Sequence, residues 1–252
     1  MVSNQISFLK SLQQKKHRKA HGLFLVEGPK SVADFLQSDF YTIKTVFHTP
    51  QSESKMLKVS GNIKFQEVSA AGLEKISSLN TPQEMIALVE IPDRQKINLK
   101  TLTGFTLMLD GVQDPGNLGT IIRTADWFGI RQIICSEDTV DAYNPKVVQA
   151  TMGSLSRINV YYTDLLFLLP QIKQPVFGAM LDGDNIFQTD FGTEGIILLG
   201  NEGNGIRPEI QPLIHKKITI PRLGQAESLN VAMAATVFCA EISRAKLMQK
   251  QV

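Results

Sequence analysis

Residues 109–125 read LDGVQDPGNLGTIIRTA, in which an apolar strand ends at a polar turn and continues into a helix-compatible stretch. The same order occurs twice more along the chain. Residues 198–206 read LLGNEGNGI, and residues 218–232 read ITIPRLGQAESLNVA. Because open α/β sheets bind their ligands at the ends of strands, we expect these three blocks to converge on one crevice. Such a site would be built largely from backbone groups.

The bulk composition is typical of a globular protein. Of the 252 residues, 43% are hydrophobic and 20% are charged. The length is enough for two domains of ordinary size. No apolar run reaches membrane-spanning length, and the N-terminus lacks the pattern of a signal peptide. The two cysteines, Cys135 and Cys239, make neither a disulfide framework nor a zinc site. We therefore expect a cytoplasmic protein with no membrane contact and no metal.

The beginning of the chain is basic, although the net charge of the whole chain is only +2. Residues 1–30 carry six Lys or Arg residues and a single acid. A basic end on a near-neutral body favours contact with a polyanion, and nucleic acid is the common one. The alternative interpretation is a solvated helix end. The predicted RNA contacts are Lys15, Lys16, Arg18 and Lys19.

The alternation of apolar and amphipathic runs predicts two α/β domains, 1–92 and 105–252, joined by a polar linker at 93–104. In the first domain, strands are expected at 23–27, 45–48, 63–68 and 85–91, and helices near 32–36, 51–59 and 70–76. In the second domain, strands are expected at 105–110, 131–135, 176–181, 196–200 and 217–221. Helices are expected there near 119–128, 145–151, 164–169, 208–214 and 228–248.

The helix of the first block contains a cation at an unusual position. If Thr120 is the N-cap and Gly129 the C-cap, Arg123 lies in the first turn. A cation there opposes the helix dipole and costs about 0.3–1 kcal/mol, which a function for Arg123 would explain. The alternative is an ordinary surface arginine paired with Asp126. In the third block, acidic and hydroxyl side chains precede a long helix, with Asn230 expected in its first turn.

Several other kinds of site are excluded or disfavoured. No G-x-G-x-x-G follows a strand and no Walker A lysine motif occurs, which argues against a dinucleotide-dependent oxidoreductase. Four histidines, two of them in the basic tract, argue against a Ser-His-Asp hydrolase. Cys135 is better interpreted as a buried strand cysteine than as a nucleophile.

Taken together, the three blocks resemble the motifs of the SpoU group of SPOUT RNA ribose 2′-O-methyltransferases, over residues 105 to about 245. The first 92 residues resemble the substrate-binding domain, akin to a ribosomal protein fold, that precedes the catalytic domain in rRNA-modifying members. The stretch 18–28 carries that second resemblance. The family implies a C-terminal, mostly parallel sheet flanked by helices and threaded into a deep trefoil knot. It also implies S-adenosylmethionine as cofactor and a homodimer, with the Arg123 helix and the long C-terminal helix at the interface.

The resemblance also implies roles for particular residues. Arg123 would activate the ribose hydroxyl. The other implied catalytic residues are Asn117, Glu202, Ser228 and Asn230. The residues implied to hold the cofactor are Ala179, Met180, Gly200, Asn201, Gly205, Ile220 and Leu229. Because a guanidinium stays protonated, two routes remain open. Either the helix N-terminus and a dry site allow Arg123 brief base action, or charged Arg123 stabilises the alkoxide while a phosphate or water takes the proton.

The expected function is therefore methyl transfer from S-adenosylmethionine to a ribose 2′-hydroxyl of structured RNA. Large-subunit rRNA is the preferred substrate because of the N-terminal domain, and tRNA is the alternative. A non-catalytic RNA-binding protein is the alternative class. The chain departs from the family at Gln149, where arginine is frequent, and at Arg222, where methionine is frequent, so its RNA footprint is less defined than its chemistry.

Overall fold

The computed structural model describes residues 3–55, 63–93, 97–99 and 102–249. The chain divides into two compact units. The first comprises residues 1–93 and 141–157, and the second comprises residues 94–140 and 158–252. Part of the predicted linker, at 94–96, 100 and 101, and the end of the helix predicted at 51–59 lie outside the described residues.

The helices and strands of the described residues follow one another along the whole chain. In chain order they are α1 (Ser3–Ser11), α2 (Lys15–His21), β1 (Leu23–Glu27), α3 (Pro29–Leu36), β2 (Ile43–His48), β3 (Lys64–Glu67), α4 (Ala70–Ile76), β4 (Met85–Glu90), β5 (Phe105–Leu109), α5 (Pro115–Trp127), β6 (Gln132–Ser136), α6 (Pro145–Thr151), β7 (Asn159–Thr163), α7 (Leu165–Leu168), β8 (Val176–Asn185), β9 (Gly195–Leu199), β10 (Lys216–Thr219) and α8 (Val231–Gln249). Within this part of the chain, none of the helices is both long enough and apolar enough to cross a membrane.

The first unit contains a four-stranded mixed sheet in the order β1-β4-β2-β3. Strands β2 and β3 are parallel, and the other neighbours are antiparallel. One face of the sheet contributes Leu25, Phe47 and Ile86 to a buried cluster. Leu9 of α1 and Leu73 of α4 complete that cluster, so the helices on this side cover the apolar face.

The first unit is discontinuous in sequence, because residues 141–157 between β6 and β7 belong to it. At one end of this segment, Arg18 Nη2 lies 2.6 Å from Asp141 Oδ2, and the two side chains are 3% and 14% exposed. At the other end, Arg157 Nη1 lies 3.3 Å from Asp34 Oδ1. Ion pairs therefore hold the two ends of this segment to α2 and α3, which belong to the same unit.

The second unit contains a six-stranded sheet in the order β10-β8-β9-β5-β6-β7, and all its strand pairs are parallel. The sheet is covered on both faces, which is why all five residues of β9 are buried and its sequence is a continuous apolar run. The chain proceeds from β5 to β6 on one side, whereas β9 returns on the other side of β5. Such a reversal of strand order opens a crevice at the carboxyl ends of the strands.

The α/β class and all nine predicted strands are confirmed, whereas some local predictions are wrong. Strand β7 was not predicted. The helix predicted at 208–214 is only a short 3-10 turn over Gln211–Leu213. Pro212 explains this, because proline lacks an N–H and disfavours a helical conformation at the preceding residue.

The predicted start of α5 is also wrong. The carboxylate of Asp114 accepts a hydrogen bond of 2.8 Å from the Asn117 backbone N–H, and Pro115 occupies the first helical position. The helix therefore begins before Thr120, and Arg123 lies in its third turn. The prediction that Arg123 opposes the dipole in the first turn of this helix is therefore wrong.

Candidate functional site

Three neighbouring parallel strands, β9, β8 and β10, place the predicted cofactor loops at one edge of the second sheet. Gly178 of β8 pairs with Leu198 of β9 and with Lys217 of β10. The pairing of β8 with β10 shifts register after Lys217, and beyond this shift Thr219 Oγ1 donates a hydrogen bond of 3.1 Å to the Leu181 carbonyl. The residues that follow at this edge include the predicted cofactor contacts Ala179, Met180, Gly200 and Ile220.

The turn after β9 is held in a narrow shape by its own backbone. The N–H of Asn201 donates to the Gly205 carbonyl at 2.9 Å, and the N–H of Gly205 donates to the Asn201 carbonyl at 3.0 Å. A Cβ on Gly200 would lie 2.1 Å from the carbonyl carbon of Gly205, so only glycine allows this approach. The Asn201 side-chain oxygen also accepts from the Gly203 N–H. Asn201 thus has a structural part in the turn, and its contact with a cofactor stays a prediction.

The same turn is fastened to the turn that follows β5. The Asn201 side-chain amide donates a hydrogen bond of 2.7 Å to the Gly111 carbonyl. The carboxylate of Asp110, whose side chain is fully buried, accepts from the backbone N–H of Arg207 at 2.8 Å and from its Nε at 2.6 Å. The hydrogen bond to Asp110 raises the pKa of the Arg207 guanidinium. The ends of β5 and β9 are therefore joined by a charge-assisted contact.

Three of the five predicted catalytic residues form one hydrogen-bonded group, which we call the Asn117 trio (Asn117, Glu202 and Asn230). The Asn117 Nδ2 donates to Glu202 Oε1 at 2.8 Å, and its Oδ1 accepts from Asn230 Nδ2 at 2.9 Å. The Asn230 Oδ1 accepts from the N–H groups of Ala232 and Met233. Asn230 is therefore the N-cap of α8 rather than a residue of its first turn, because its oxygen satisfies those amides.

The Asn117 trio contains one residue from each of the three sequence blocks. The prediction that the blocks converge is therefore confirmed. The contact joins positions 113 residues apart between Asn117 and Asn230 and 85 residues apart between Asn117 and Glu202. The roles of these side chains in binding or catalysis remain predictions.

The other predicted residues of this region are exposed. Arg123 follows Asn117 by six residues on α5, which places it about 120° around the helix from Asn117. Ser228 is exposed two residues before Asn230, and Leu229 is about half exposed. Ser228 and Leu229 directly precede Asn230 of the Asn117 trio, whereas a place for Arg123 in the site stays a prediction.

The basic tract of the first unit contains one buried residue. Arg18 is 2% exposed. Its Nη1 donates to the carbonyls of Leu12 and Gln13 at 3.0 and 2.8 Å, and its Nη2 pairs with Asp141. Since these donors are used inside the unit, the prediction of Arg18 as an RNA contact is wrong. The predicted contacts that are exposed are Lys15, Lys16 and Lys19.

The two cysteines are fully buried. Burial raises the pKa of the Cys239 thiol to about 12 and raises that of Cys135 as well. A nucleophilic cysteine must be a thiolate, so neither residue is suited to that chemistry. The interpretation of Cys135 as a buried strand cysteine is confirmed. Among the described residues, no group of three His, Cys, Asp or Glu side chains is placed to hold a metal ion.

Sequence reasoning missed Asp110 and Arg207 as site residues. Both lie in or directly beside the quoted blocks, 97 residues apart in the chain. One signal was available for Asp110, because a carboxylate directly after a buried strand requires a partner. Nothing local to the sequence identified that partner as Arg207.

Comparison with known proteins supports both parts of the chain. The model of the SpoU rRNA Methylase family matches residues 104–240, and that of the MRM3-like substrate binding domain matches residues 3–87. The chain is 31% identical over 232 residues to the 23S rRNA (guanosine(2553)-2′-O)-methyltransferase RlmP of Bacillus subtilis (strain 168), covering 90% of this chain and 91% of that protein.

Solved structures resemble the whole chain as well. A TrmH-family protein from Porphyromonas gingivalis superimposes with a TM-score of 0.88 at 37% identity, covering 97% of this chain and 99% of the other. An AdoMet-bound rRNA methyltransferase from Sinorhizobium meliloti superimposes with a TM-score of 0.84 at 30% identity, covering 96% and 95%. With the family model matching more than half of its length, the chain belongs to the SpoU rRNA methylase family.

Proposed function

We propose that this chain transfers a methyl group from S-adenosylmethionine to a ribose 2′-hydroxyl of 23S rRNA. The observation that carries the proposal is the Asn117 trio, which joins all three sequence blocks at the switch point of a parallel sheet. The similarity to RlmP, which by its name acts on 23S rRNA, supports the substrate. The AdoMet-bound protein of Sinorhizobium meliloti supports the methyl donor.

The side chains and backbone groups near the strand ends are suited to bind S-adenosylmethionine, the methyl donor. Met180 and Ile220 are half-buried, and Leu229 is 51% exposed, so apolar side chains remain available for a purine or a methionine chain. The narrow turn at Gly200 presents backbone groups that suit the polar edge of a heterocycle. When bound, the donor supplies an electrophilic methyl group on a positively charged sulfur.

The position of Arg123 favours the second of the two routes of hydroxyl activation. Base action required a helix N-terminus and a dry environment, whereas Arg123 lies in the third turn of α5 and is exposed in the chain. The charged guanidinium would instead stabilise negative charge on the ribose 2′-oxygen. That oxygen forms the new O–C bond as the methyl–sulfur bond breaks, and its proton leaves to water or to an RNA phosphate.

The proposed role of the Asn117 trio is to position the ribose, not to accept its proton. The amide of Asn117 is fixed on one side by Glu202 and on the other by Asn230. A fixed amide can orient the ribose for in-line attack, and such orientation lowers the activation free energy by several kcal/mol. Ser228, just before this group, would shape the loop that meets both substrates.

The Lys15–Lys16–Lys19 surface is the proposed RNA contact of the first unit. We expect that replacing all three residues with glutamine makes the slope of log K against log salt shallower by about 2–3, because each phosphate contact contributes roughly 0.7–0.9. The measurement is RNA binding by fluorescence anisotropy over a series of salt concentrations. A matched control replaces Lys44, Lys64 and Lys75, which are exposed lysines of the same unit, with glutamine. Equal slopes for the two triple variants would contradict the prediction.

We also propose a homodimer that uses α5 and α8. Met233, Ala240 and Leu247 are exposed at intervals of seven residues, which places them on one face of α8. Trp127, at the end of α5, is 84% exposed. Exposed apolar side chains on one helix face favour an interface.

The dimer can be tested by light scattering coupled to gel filtration. We expect the double variant Met233→Glu, Leu247→Glu to elute as a monomer, because two carboxylates would be buried without partners at the interface. Leu166→Glu, at an exposed apolar position of α7, is the matched control and should leave the mass unchanged. A monomeric wild-type protein at micromolar concentration would refute the dimer.

The family resemblance further implies a deep trefoil knot in the C-terminal part of the second unit. Two features support the proposal: β9 lies between β5 and β8, and the N-cap of α8 returns to the helix that follows β5. A knotted arrangement would hold the donor loops together without a disulfide or a metal.

The function is tested by incubating the purified protein with radiolabelled S-adenosylmethionine and, in parallel, unmodified 23S rRNA, 16S rRNA or tRNA. Label in 23S rRNA, mapped to a 2′-O-methyl position, is the expected result. Label confined to tRNA would favour the alternative substrate. No label, together with no heat of donor binding in calorimetry, would indicate a non-catalytic RNA-binding protein. Point variants are better here than a deletion of the first unit, because residues 141–157 are part of that unit.

A further inference from the structure

The buried carboxylate of Asp110, directly after β5, forms an ion pair with the half-exposed Arg207, which follows the glycine turn after β9. Neither residue belongs to the predicted catalytic set. We propose that Asp110 and Arg207 are a positioning pair that sets the affinity of the site for the methyl donor. The inference rests on the proposed function. The pair would keep the turn after β5 and the turn after β9 in a fixed relative position.

Asp110 and Arg207 join the turn after β5 to the turn after β9, and we call this pair the clamp. Asp110 is the first residue after β5, and its backbone N–H donates to the Leu199 carbonyl at the end of β9 at 2.8 Å. Its carboxylate receives three donors of Arg207: Nε and Nη2 at 2.6 Å and the backbone N–H at 2.8 Å. Arg207 follows Gly205 by two residues. Both strand ends and the glycine turn are therefore fixed to a single buried carboxylate.

The environment of Arg207 argues against direct contact with RNA. Its side chain is 47% exposed, and a second carboxylate, Asp138, lies 3.9 Å from its Nη2. Two acids beside one guanidinium leave no net positive charge for a phosphate. The role that remains for this arginine is to hold the turn in place.

The consequence for the site follows from the other contacts between the same turns. Without the clamp, the contacts that still join the glycine turn to the region after β5 include the bonds from Asn201 to Gly111 and from Asn117 to Glu202, which fix the turn less firmly. The arrangement that binds the donor would then be one of several in exchange. Donor affinity falls in proportion to the population of the competent arrangement. The clamp therefore acts on donor binding before it acts on chemistry.

The experiment measures donor binding directly. In the purified full-length protein, we expect Arg207→Gln to raise the Kd for S-adenosylmethionine and for S-adenosylhomocysteine about tenfold in titration calorimetry. At saturating donor, kcat should stay within about twofold of wild type. Arg207→Lys keeps a charge near Asp110 and should recover part of the affinity. Lys44→Gln, which breaks an exposed ion pair with Glu90 in the first unit, is the matched control.

A purely structural role would give a different result. Thermal unfolding would then shift to lower temperature while the Kd at 25 °C stayed within twofold of wild type, and this result would overturn the proposal. Should Arg207→Gln fail to fold, Asp110→Asn combined with Arg207→Gln removes both charges, and the same Kd criterion applies to it and to Arg207→Lys. If the wild-type protein binds no donor, the proposed function itself is refuted, which is distinguishable from loss of affinity in the variants alone.

Discussion

Replacing Arg123 with alanine is expected to lower kcat about 10²–10³-fold while the Kd for S-adenosylmethionine changes less than twofold. Removing one preorganised donor from a developing oxyanion has an effect of this size. The predicted cofactor contacts lie in β8 and in the turns after β9 and β10, whereas Arg123 is on α5, so we expect donor binding not to depend on it. Single-turnover methyl transfer and titration calorimetry measure the two quantities separately.

Two variants control this prediction. Arg131→Ala removes an exposed arginine that directly precedes β6, at the amino end of that strand and so away from the carboxyl ends, and should leave both quantities unchanged. Arg123→Lys keeps the positive charge but loses the planar fork, so we expect only partial recovery of kcat. Full activity of Arg123→Ala would remove Arg123 from the mechanism.

The strand pattern of the second unit could be predicted because a parallel sheet covered on both faces requires continuous apolar runs. Strand β9 is the clearest example, with all its residues buried. Strand β7 escaped prediction because it is an edge strand in which only Val160 is buried. The 3-10 turn at 211–213 was mistaken for a helix because its apolar spacing outweighed the presence of Pro212.

In the candidate site, too, features encoded by neighbouring residues could be predicted, whereas contacts between distant residues could not. Convergence of the three blocks followed from a general property of parallel sheets, namely that ligand-binding turns share the carboxyl edge. The start of α5 is also encoded locally by Asp114 and Pro115, which are a stronger start signal than Thr120. Pairs such as Asp110–Arg207 join residues 97 positions apart, and no periodicity carries that information.

Arg18 illustrates how burial changes the meaning of a charged residue. In the sequence it is one of several cations in a basic tract, and contact with RNA is the natural interpretation. In the structure it is 2% exposed, and its partner lies 123 residues away at Asp141. Only the fold distinguishes this arginine from the exposed lysines on the same helix.

We therefore expect Arg18→Ala to destabilise the first unit by about 3–5 kcal/mol, the usual cost of removing one partner from a buried ion pair. The carboxylate of Asp141 would remain almost buried without its guanidinium. The only tryptophan, Trp127, lies in the second unit, so hydrogen exchange of the α2 and β1 amides is the suitable measurement. Asp141→Asn, which keeps an acceptor oxygen, should cost less.

The salt dependence of RNA binding separates this structural role from a phosphate contact. If Arg18 only holds α2 against residues 141–157, the folded Arg18→Ala protein should keep the wild-type slope of log K against log salt. A phosphate contact would make that slope shallower by about 0.7–0.9 and leave amide exchange unchanged. Lys19→Ala, at the exposed neighbour on α2, should give the second pattern. Because each role changes an observable that the other leaves unchanged, the two variants together test the assignment of Arg18 to the fold.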